Sequence, residues 1–292
     1  MVILAFPHAR SLAQKVGACR GIAIHDIAVQ RYGNDQRGVD VTHDGAAGED
    51  VCVMQDFSHD LHGRLMELLF ALDTVRRLRP RRLTAILPYL PYTRSDVSGQ
   101  VAAPAMRTLA RLLCDGGVDR LITATLHTPQ VAMAFDCPVL ELDVTPLLAD
   151  AVGAAGSRDR VVIAPDFGGA KRAARLAAAL GCGHGAIQKI RTSGAQRADA
   201  IWGTVERRAV VLLDDEINTA TSLVQAAELA RNAGARSVSA AVTHNLLTAA
   251  GVAALEASGI EELFVTDSLA DAPAGARIHR LGLAPLIAEA MG

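Results

Sequence analysis

The chain has 292 residues, of which 50% are hydrophobic and 21% are charged, and its formal net charge is -2 at pH 7. This composition excludes intrinsic disorder and is sufficient for a full hydrophobic core, while the length is typical of about two domains. Because positive and negative charges are nearly balanced, we expect neither nucleic acid nor a membrane as a partner.

Five cysteines are spread along the chain without a Cys-x-x-Cys pair. A zinc site or a dithiol couple is not indicated by this spacing, so we expect buried thiols in a reducing environment. The N-terminus has a short apolar start with no basic region before it, and no run approaches the roughly 18 to 20 apolar residues that span a bilayer. The sequence therefore predicts a cytoplasmic protein.

Short continuous apolar runs alternate with longer amphipathic stretches, which is typical of parallel strands covered by helices on both faces. The predicted strands are Val51–Gln55, Leu83–Leu87, Arg120–Leu126, Arg160–Pro165, Ala186–Lys189, Ala209–Leu213, Ser237–Thr243 and Glu262–Thr266. Two helices are predicted over Arg64–Leu78 and Ser222–Ala233, the second ending before Gly234. The fold class expected is α/β.

The alternation divides into two halves near Leu142–Pro146, which predicts domains over residues 1–143 and 144–292. The stretch Arg191–Arg208 lacks clear periodicity and connects two predicted strands. We expect it to be irregular, and an irregular stretch of this length is more often a functional lid than a linker.

The strongest local pattern is VVLLDDEINTATS, residues 210–222, where an apolar strand ends in two acids and a hydroxyl-rich turn opens a helix. Unpaired N–H groups at the helix start, with the hydroxyls of Thr219, Thr221 and Ser222, can cradle a phosphate. The carboxylates of Asp214 and Asp215 suit sugar hydroxyls or Mg²⁺. Together they indicate a sugar-phosphate site, while the alternative is an acidic turn with an ordinary helix cap.

This pattern resembles the PRPP-binding loop of type I phosphoribosyltransferases and PRPP synthetases. Further segments resemble the second family in its own order: RLMELLFALD, PYLPYTRSD, LITATLHTPQVAMAFDCPV, VVIAPDFGGAKRA, GIEELFVTDSL and LAPLIAEAM. Because the likeness covers nearly the whole chain, the sequence is identified as similar to the ribose-phosphate pyrophosphokinase (PRPP synthetase) family. A simple phosphoribosyltransferase would account for only one half.

The resemblance implies two tandem phosphoribosyltransferase-like domains, each a mainly parallel sheet flanked by helices. Residues 1–143 would form the nucleotide side, and residues 144–292 would carry the ribose 5-phosphate loop. The implied reaction transfers the diphosphoryl group of Mg-ATP to the C1 hydroxyl of ribose 5-phosphate, giving PRPP and AMP. The cofactor is Mg²⁺, and a homo-oligomer, at least a dimer, is implied because subunits of the family share the nucleotide site.

Site residues follow from the same likeness. Lys189 and Arg191 match the basic pair on a loop that closes on the triphosphate, where positioned cations stabilise phosphoryl transfer. His127 and Asp166 would coordinate the Mg²⁺ across a domain cleft. Ribose 5-phosphate would contact Asp214, Asp215, Asn218, Thr219, Ala220, Thr221 and Ser222, and the nucleotide would contact Arg94, Tyr32, Asn34 and Gln36.

Without the resemblance, purely structural roles stay open for several of these residues. A Lys-x-Arg pair is commonly a solvated strand end, and imidazole is an unusual Mg²⁺ ligand, so His127 alone could be a core or cleft histidine. The glycine-rich segment GCGHG, residues 181–185, is not a nucleotide-binding fingerprint, because no predicted strand precedes it.

The chain departs from the family pattern at the nucleotide side and in the phosphate loop. Asn218 and Thr221 replace a usual Asp and Gly, so Thr221 must adopt an ordinary φ or narrow the phosphate cradle. Thr125 and Ser95 replace a usual Asp and Gln. Neutral amides stand at the two positions that match acids near the adenine, which predicts altered nucleotide preference or lost activity. Lost activity would make the chain an inactive regulatory subunit of the same family. A salvage phosphoribosyltransferase is a further alternative.

Overall fold

The computed structural model describes residues 1–41, 46–95, 105–155, 159–191 and 197–292, without the side chains at 95, 189–191 and 197–199. The chain forms two compact units. The first contains Met1–Asp143, Ser268–Asp271 and Leu283–Gly292, and the second contains Val144–Asp267 and Ala272–Gly282.

Fourteen strands and eight α-helices alternate along the described residues. The strands are β1 (Val2–Ala5), β2 (Ile24–Arg31), β3 (Arg37–Val41), β4 (Asp50–Met54), β5 (Arg82–Ile86), β6 (Arg120–Ala124), β7 (Val139–Leu142), β8 (Arg160–Ala164), β9 (Gly183–Arg191), β10 (Arg197–Trp202), β11 (Ala209–Ile217), β12 (Ser237–Asn245), β13 (Leu263–Thr266) and β14 (Ile278–Leu281). The helices are α1 (Arg10–Arg20), α2 (Leu61–Arg77), α3 (Ala105–Asp115), α4 (Thr145–Ala154), α5 (Ala170–Leu180), α6 (Thr221–Asn232), α7 (Ala249–Ala257) and α8 (Ala284–Ala290).

Each unit is built on a seven-stranded sheet, and the two sheets have the same strand order. The order is β3-β2-β1-β4-β5-β6-β7 in the first unit and β10-β9-β8-β11-β12-β13-β14 in the second. Neighbouring strands are parallel except in the pairs β2–β3 and β9–β10. The order of the chain reverses between β1 and β4 and between β8 and β11, which is where ligands bind in open parallel sheets.

One strand of each sheet extends well beyond its parallel neighbour. The ladder between β1 and β2 ends at Asp26, but β2 continues to Arg31. In the same way, the ladder between β8 and β9 ends at Ala186, but β9 continues to Arg191. In both cases the extension pairs only with the next, antiparallel strand. A two-stranded hairpin therefore projects past the carboxyl edge of each sheet.

The predicted α/β class is confirmed, because both sheets are mostly parallel and are flanked by helices. Strands β4 and β8 are buried at every residue, as the continuous apolar runs indicate. The predicted helices correspond to α2 and α6 with small shifts at their ends, and Gly234 has the positive φ, +85°, typical of a residue past a helix C-terminus.

Six strands were missed, and four of them are sheet edges: β3, β7, β10 and β14. An edge strand has one neighbour and more solvent contact, so its sequence lacks the continuous apolar run of a central strand. The expectation of an irregular segment over Arg191–Arg208 was wrong in part, because Arg197–Trp202 pairs antiparallel with β9. Residues 192–196 lie outside the described ranges.

The predicted second domain, residues 144–292, also requires correction. Leu283–Gly292 belongs to the first unit, as does Ser268–Asp271. Helix α8 packs against α1 and β7. Arg20 donates from Nη1 to the Ala288 carbonyl oxygen at 2.8 Å, and Arg120 donates from Nη2 to the Met291 carbonyl oxygen at 3.1 Å. These contacts span 268 and 171 positions of the chain, so the association could not be deduced from local sequence patterns.

The cysteines are not uniformly buried, contrary to the expectation. Cys52 is buried in β4, Cys19 is exposed on α1, and the other three are half-buried. Within the described ranges, no helix combines the length and the apolar character that crossing a membrane requires.

Candidate active site

The predicted acidic residues of the second unit meet at one edge of its sheet. Asp166 follows the end of β8, and Asp214 and Asp215 lie in the last part of β11, the parallel neighbour of β8. The carboxyl ends of β8 and β11 flank the point where the strand order reverses. The fold therefore brings the three carboxylates to the usual ligand position of a doubly wound sheet.

Asp214 and Asp215 have different environments although they are adjacent in sequence. The Asp215 side chain is buried and accepts a hydrogen bond at 3.0 Å from Nη2 of Arg172, on α5. The backbone N–H of Asp215 donates to Oδ1 of Asp214 at 2.9 Å. Arg172 balances the charge of Asp215 and orients its carboxylate, a contribution that the sequence did not predict.

The pKa of Asp214 is raised to about 8. Burial is the main cause, because it disfavours the charged form, and the neighbouring Asp215 and then the more distant charge of Asp166 add to it. A carboxyl group with this pKa is largely protonated at neutral pH. It can therefore donate a hydrogen bond as well as accept one, unlike an ordinary Asp side chain.

The turn after β8 is held by Asp166 itself. Its Oδ1 accepts a hydrogen bond from the backbone N–H of Gly169 at 3.2 Å, in the short 3-10 turn that leads into α5. A Cβ at Gly169 would lie 3.0 Å from the Cβ of Ala164, and one at Gly168 would lie 3.1 Å from Oδ1 of Asp166. A side chain at either position would crowd this turn, so the two glycines suit its close packing around the carboxylate.

The predicted phosphate loop leads from β11 into α6. Ala220, just before the helix, has a positive φ of +60°. Thr221 begins the helix and is not among the residues with positive φ, so it adopts the ordinary conformation that was one of its two expected alternatives. The hydroxyl oxygens of Thr219 and Thr221 lie 3.0 Å apart.

The exposed side chains of this loop and the uncapped start of α6 suit an anionic ligand. Asn218, Thr219, Thr221 and Ser222 are exposed, whereas Ala220 is buried. Alanine has no side-chain acceptor, so it cannot cap the N–H groups of the first helical turn. Those groups and the helix dipole therefore favour a negatively charged ligand at this end of α6.

The start of α7 packs against the loop, a contact that the sequence did not predict. The backbone N–H of Thr248 donates to the carbonyl oxygen of Asn218 at 3.3 Å, and the N–H of Leu246 donates to the carbonyl oxygen of Ile217 at 2.8 Å. A Cβ at Gly251 would lie 2.4 Å from the Asn218 carbonyl oxygen. Since no other residue fits there without movement, Gly251 fixes the distance between α7 and the loop.

The backbone of the predicted cationic pair lies on the projecting β9–β10 hairpin. Lys189 is opposite Asp199, and Arg191 is opposite Arg197. Both residues lie beyond the ladder that joins β9 to β8, on the carboxyl side of the sheet where Asp166 and Asp214 lie. Their side chains are outside the described part of the structure.

An aromatic pair, also missed from the sequence, lies at the base of this hairpin. Phe167, directly after Asp166, and Trp202, at the end of β10, contact each other edge to face with ring centroids 6.3 Å apart. Both side chains are more than half exposed, and Nε1 of Trp202 donates to Oε1 of Gln188 at 3.1 Å. These contacts connect the hairpin to the turn that holds Asp166.

The nucleotide-side residues all belong to the first unit. Tyr32, Asn34 and Gln36 form the exposed turn of the β2–β3 hairpin, where Oδ1 of Asn34 accepts the backbone N–H of Gln36 at 3.3 Å. Exposed Arg94 follows β5, and half-buried His127 follows the neighbouring parallel strand β6, so both lie beyond the carboxyl edge of the sheet. The end of the PYLPYTRSD motif, Asp96, lies outside the described residues.

Among the residues that the structure describes, no group of three or more His, Cys, Asp or Glu side chains is arranged to hold a metal ion. Mg²⁺ characteristically keeps several waters and binds through one or two carboxylates and substrate phosphates. The pairing of His127 with Asp166 stays a prediction.

The corresponding reversal point of the first sheet is filled by the chain itself. Asp56, which follows β4, is buried and forms an ion pair with Arg64 at 2.6 Å. The backbone N–H of Ala270 donates to Oδ2 of Asp56 at 2.8 Å, and the N–H of Asp271 donates to Oγ of Ser58 at 3.2 Å. The two sheets share a strand order, but internal contacts satisfy this acidic side chain in the first unit.

Comparisons with known proteins agree with the resemblance found in the sequence. Residues 1–117 match the model of the N-terminal domain of ribose phosphate pyrophosphokinase, and residues 192–292 match that of the phosphoribosyl synthetase-associated domain. The ribose-phosphate pyrophosphokinase of Granulibacter bethesdensis is 35% identical, with 100% of this chain and 96% of that protein covered. The Aquifex aeolicus protein of the same name is 33% identical, with 99% and 94% covered.

A solved structure shows the same fold over its whole length. The crystal structure of phosphoribosylpyrophosphate synthetase from Mycobacterium smegmatis has a TM-score of 0.92 and 30% sequence identity, covering 99% of this chain and 97% of that one. This match confirms the two phosphoribosyltransferase-like sheets that the resemblance implied. Because both the sequence and the fold match from end to end, the chain belongs to the ribose-phosphate pyrophosphokinase family.

Proposed function

We propose that this chain is a ribose-phosphate diphosphokinase, which transfers the diphosphoryl group of Mg-ATP to the C1 hydroxyl of ribose 5-phosphate. The C1 oxygen forms a bond to the β-phosphorus, the bond from the β-phosphorus to the oxygen of the α-phosphate breaks, and the hydroxyl proton is released. The products are PRPP and AMP. The observation that carries the proposal is the set of Asp166, Asp214 and the phosphate loop at one sheet edge, in a chain that matches this family from end to end.

Ribose 5-phosphate is assigned to the second unit. Its phosphate suits the start of α6, where the N–H groups of the first turn and the exposed hydroxyls of Thr219, Thr221 and Ser222 are available. The ribose hydroxyls then reach the end of β11. Asp215 accepts from Arg172 and is fixed in place, while Asp214, with its raised pKa, can donate to or accept from a hydroxyl.

The donor set fits Mg²⁺. Asp166 supplies carboxylate oxygens, the ligands that Mg²⁺ prefers, and its charge contributes to the raised pKa of Asp214. Because neighbouring negative charges disfavour ionisation at this site, a bound cation would stabilise the ionised carboxylates. When bound there, Mg²⁺ would neutralise phosphate charge and polarise the reacting phosphoryl group. His127 is assigned to the same ion through the family likeness alone.

The cationic residues complete the proposed site. In our proposal Lys189 and Arg191, on the projecting hairpin, neutralise the charge that develops on the transferred group. Phe167 and Trp202 hold the base of that hairpin against the Asp166 turn. On the nucleotide side we assign Arg94 to the ATP phosphates and Tyr32, Asn34 and Gln36 to the adenine. Amides at two of these positions can still hydrogen-bond a base edge.

Release of AMP from ATP, measured with and without ribose 5-phosphate, tests the proposed reaction. We expect AMP to form only when ATP, Mg²⁺ and ribose 5-phosphate are all present, together with an equal amount of PRPP. Ligand binding without turnover would instead indicate a regulatory subunit. Consumption of added PRPP with a nucleobase would indicate a salvage phosphoribosyltransferase, and either result would end the proposal.

The role of the hairpin is tested by Lys189→Ala. Removing a contact made in the transition state should reduce kcat by about 10²-fold or more and leave the affinity for ribose 5-phosphate nearly unchanged. The matched control is Lys15→Ala, which removes an exposed lysine from α1 in the first unit and should leave kcat unchanged. An unaltered kcat in Lys189→Ala would contradict the assignment.

A further inference from the structure

Two cysteine thiols that are distant in the sequence are adjacent in the first unit. Cys114 lies in the last turn of α3, and Cys137 lies between the 3-10 turn Pro129–Ala134 and β7. They are 23 positions apart, but their Sγ atoms are 3.6 Å from each other. Both thiols are free and half-buried. This separation exceeds the S–S bond length of about 2.05 Å by about 1.5 Å, which is the approach that bond formation would require.

We propose that Cys114 and Cys137 are a modification site at which a reversible intramolecular disulfide forms by exchange with a low-molecular-weight disulfide such as oxidised glutathione. The Cys114 thiolate attacks one sulfur of that disulfide, forming a mixed disulfide and releasing one glutathione thiol. Cys137 then loses its proton and attacks the Cys114 sulfur, releasing the second. Two protein thiols are oxidised, and one glutathione disulfide is reduced to two thiols.

The surroundings of the two thiols support this order of attack. Burial, with the hydrogen bond from Cys114 and its charge as further causes, raises the pKa of Cys137 to about 12. Cys137 is therefore the poorer attacking thiol at neutral pH, which assigns the first attack to Cys114 and the resolving role to Cys137. Neither cysteine of the pair is fully buried.

The remaining cysteines do not offer the same arrangement. Cys52 lies inside β4, and its pKa is raised to about 11, chiefly by burial. Cys182 belongs to the second unit, and Cys19 is exposed on α1. Cys19 can form a mixed disulfide with glutathione, so it serves as a control for simple surface reactivity.

The disulfide would close a loop that contains β6 and His127. It would attach the last turn of α3 to the segment that follows Pro129–Ala134, against which α3 already packs. Because the joined elements are in contact in the reduced protein, we expect the oxidised chain to keep its fold. A cross-link that restricts the unfolded chain should also raise the melting temperature.

Peptide mapping of the full-length protein provides the test. The protein is incubated with oxidised glutathione, its free thiols are alkylated under denaturing conditions, and it is digested with trypsin. Cleavage after Arg111, Arg120 and Arg158 separates peptides 112–120 and 121–158, each with one cysteine. We expect these two peptides to be recovered as a disulfide-linked pair that separates on treatment with dithiothreitol.

Three outcomes would overturn the proposal: unlinked alkylated peptides, glutathione retained on Cys114 without linkage, or linkage of either cysteine to a different one. Cys19→Ser should retain the linked pair, and Cys114→Ser should lose it. The oxidised wild-type protein should melt several degrees above the reduced form. If Cys114→Ser does not fold, the mapping and the melting comparison on wild-type protein still decide the question. Neither measurement depends on the proposed catalytic activity.

Discussion

Asp214→Asn should increase the stability of the second unit at neutral and alkaline pH. In the folded protein the pKa of Asp214 is about 8, compared with 3.8 for an Asp side chain in water. Between these values the folded state holds a proton that the unfolded state has lost. Stability therefore falls as the pH rises through this window, and the cost is complete above pH 8.

The magnitude follows from the size of the shift. One pKa unit corresponds to about 1.4 kcal/mol of unfolding free energy. The full shift therefore lowers the free energy of unfolding by at most about 5 to 6 kcal/mol at pH 8, and about 4 kcal/mol of this decrease occurs between pH 5 and pH 8. Asp214 is only partly buried, and water screens part of this penalty. We therefore expect the advantage of the variant over wild type to grow by about 2 kcal/mol between pH 5 and pH 8.

Urea unfolding at pH 5, 6, 7 and 8, in buffer with a chelator, measures this difference. Trp202 is the single tryptophan and lies in the second unit, so its fluorescence reports the unfolding of that unit. Asparagine keeps the oxygen that accepts the backbone N–H of Asp215. The control is Glu228→Gln, which removes an exposed charge from α6. Equal pH dependence in wild type and Asp214→Asn would refute the reasoning. On the proposed function, the stabilised variant should also lose activity.

Two further stability predictions follow from the structure. Arg64→Met leaves buried Asp56 without its cation and should cost about 3 to 5 kcal/mol in urea unfolding. Arg77→Met breaks a pair of similar length with exposed Asp73 and should cause no measurable loss; equal losses in both variants would contradict the role of burial. Ala220→Val should cost about 1 to 2 kcal/mol because φ is positive there, whereas Ala220→Gly should be nearly neutral, and a reversed order would exclude backbone strain.

The acidic site illustrates how far local patterns reach. That Asp214 and Asp215 stand at the end of a buried strand before a helix could be predicted, because an apolar run followed by acids and small hydroxyl residues is a local feature. That the two carboxylates differ could not be predicted. Part of the difference comes from Arg172, which is 43 positions away from Asp215 and reaches it from α5, a helix that packs against β8 and β9.

The sequence by itself determined the α/β class, the interior strands other than β1 and β2, and the residues at their carboxyl ends, since these depend on runs of neighbouring side chains. Tertiary contacts decided which residues form the sheet edges, and they placed the last ten residues in the first unit. They also brought the thiols of Cys114 and Cys137 together. At the reversal point of the first sheet, Ser268–Asp271 hydrogen-bonds to Asp56 and Ser58, although the second sheet has the same strand order. Each of these depends on contacts between segments far apart in the chain, which local patterns do not encode.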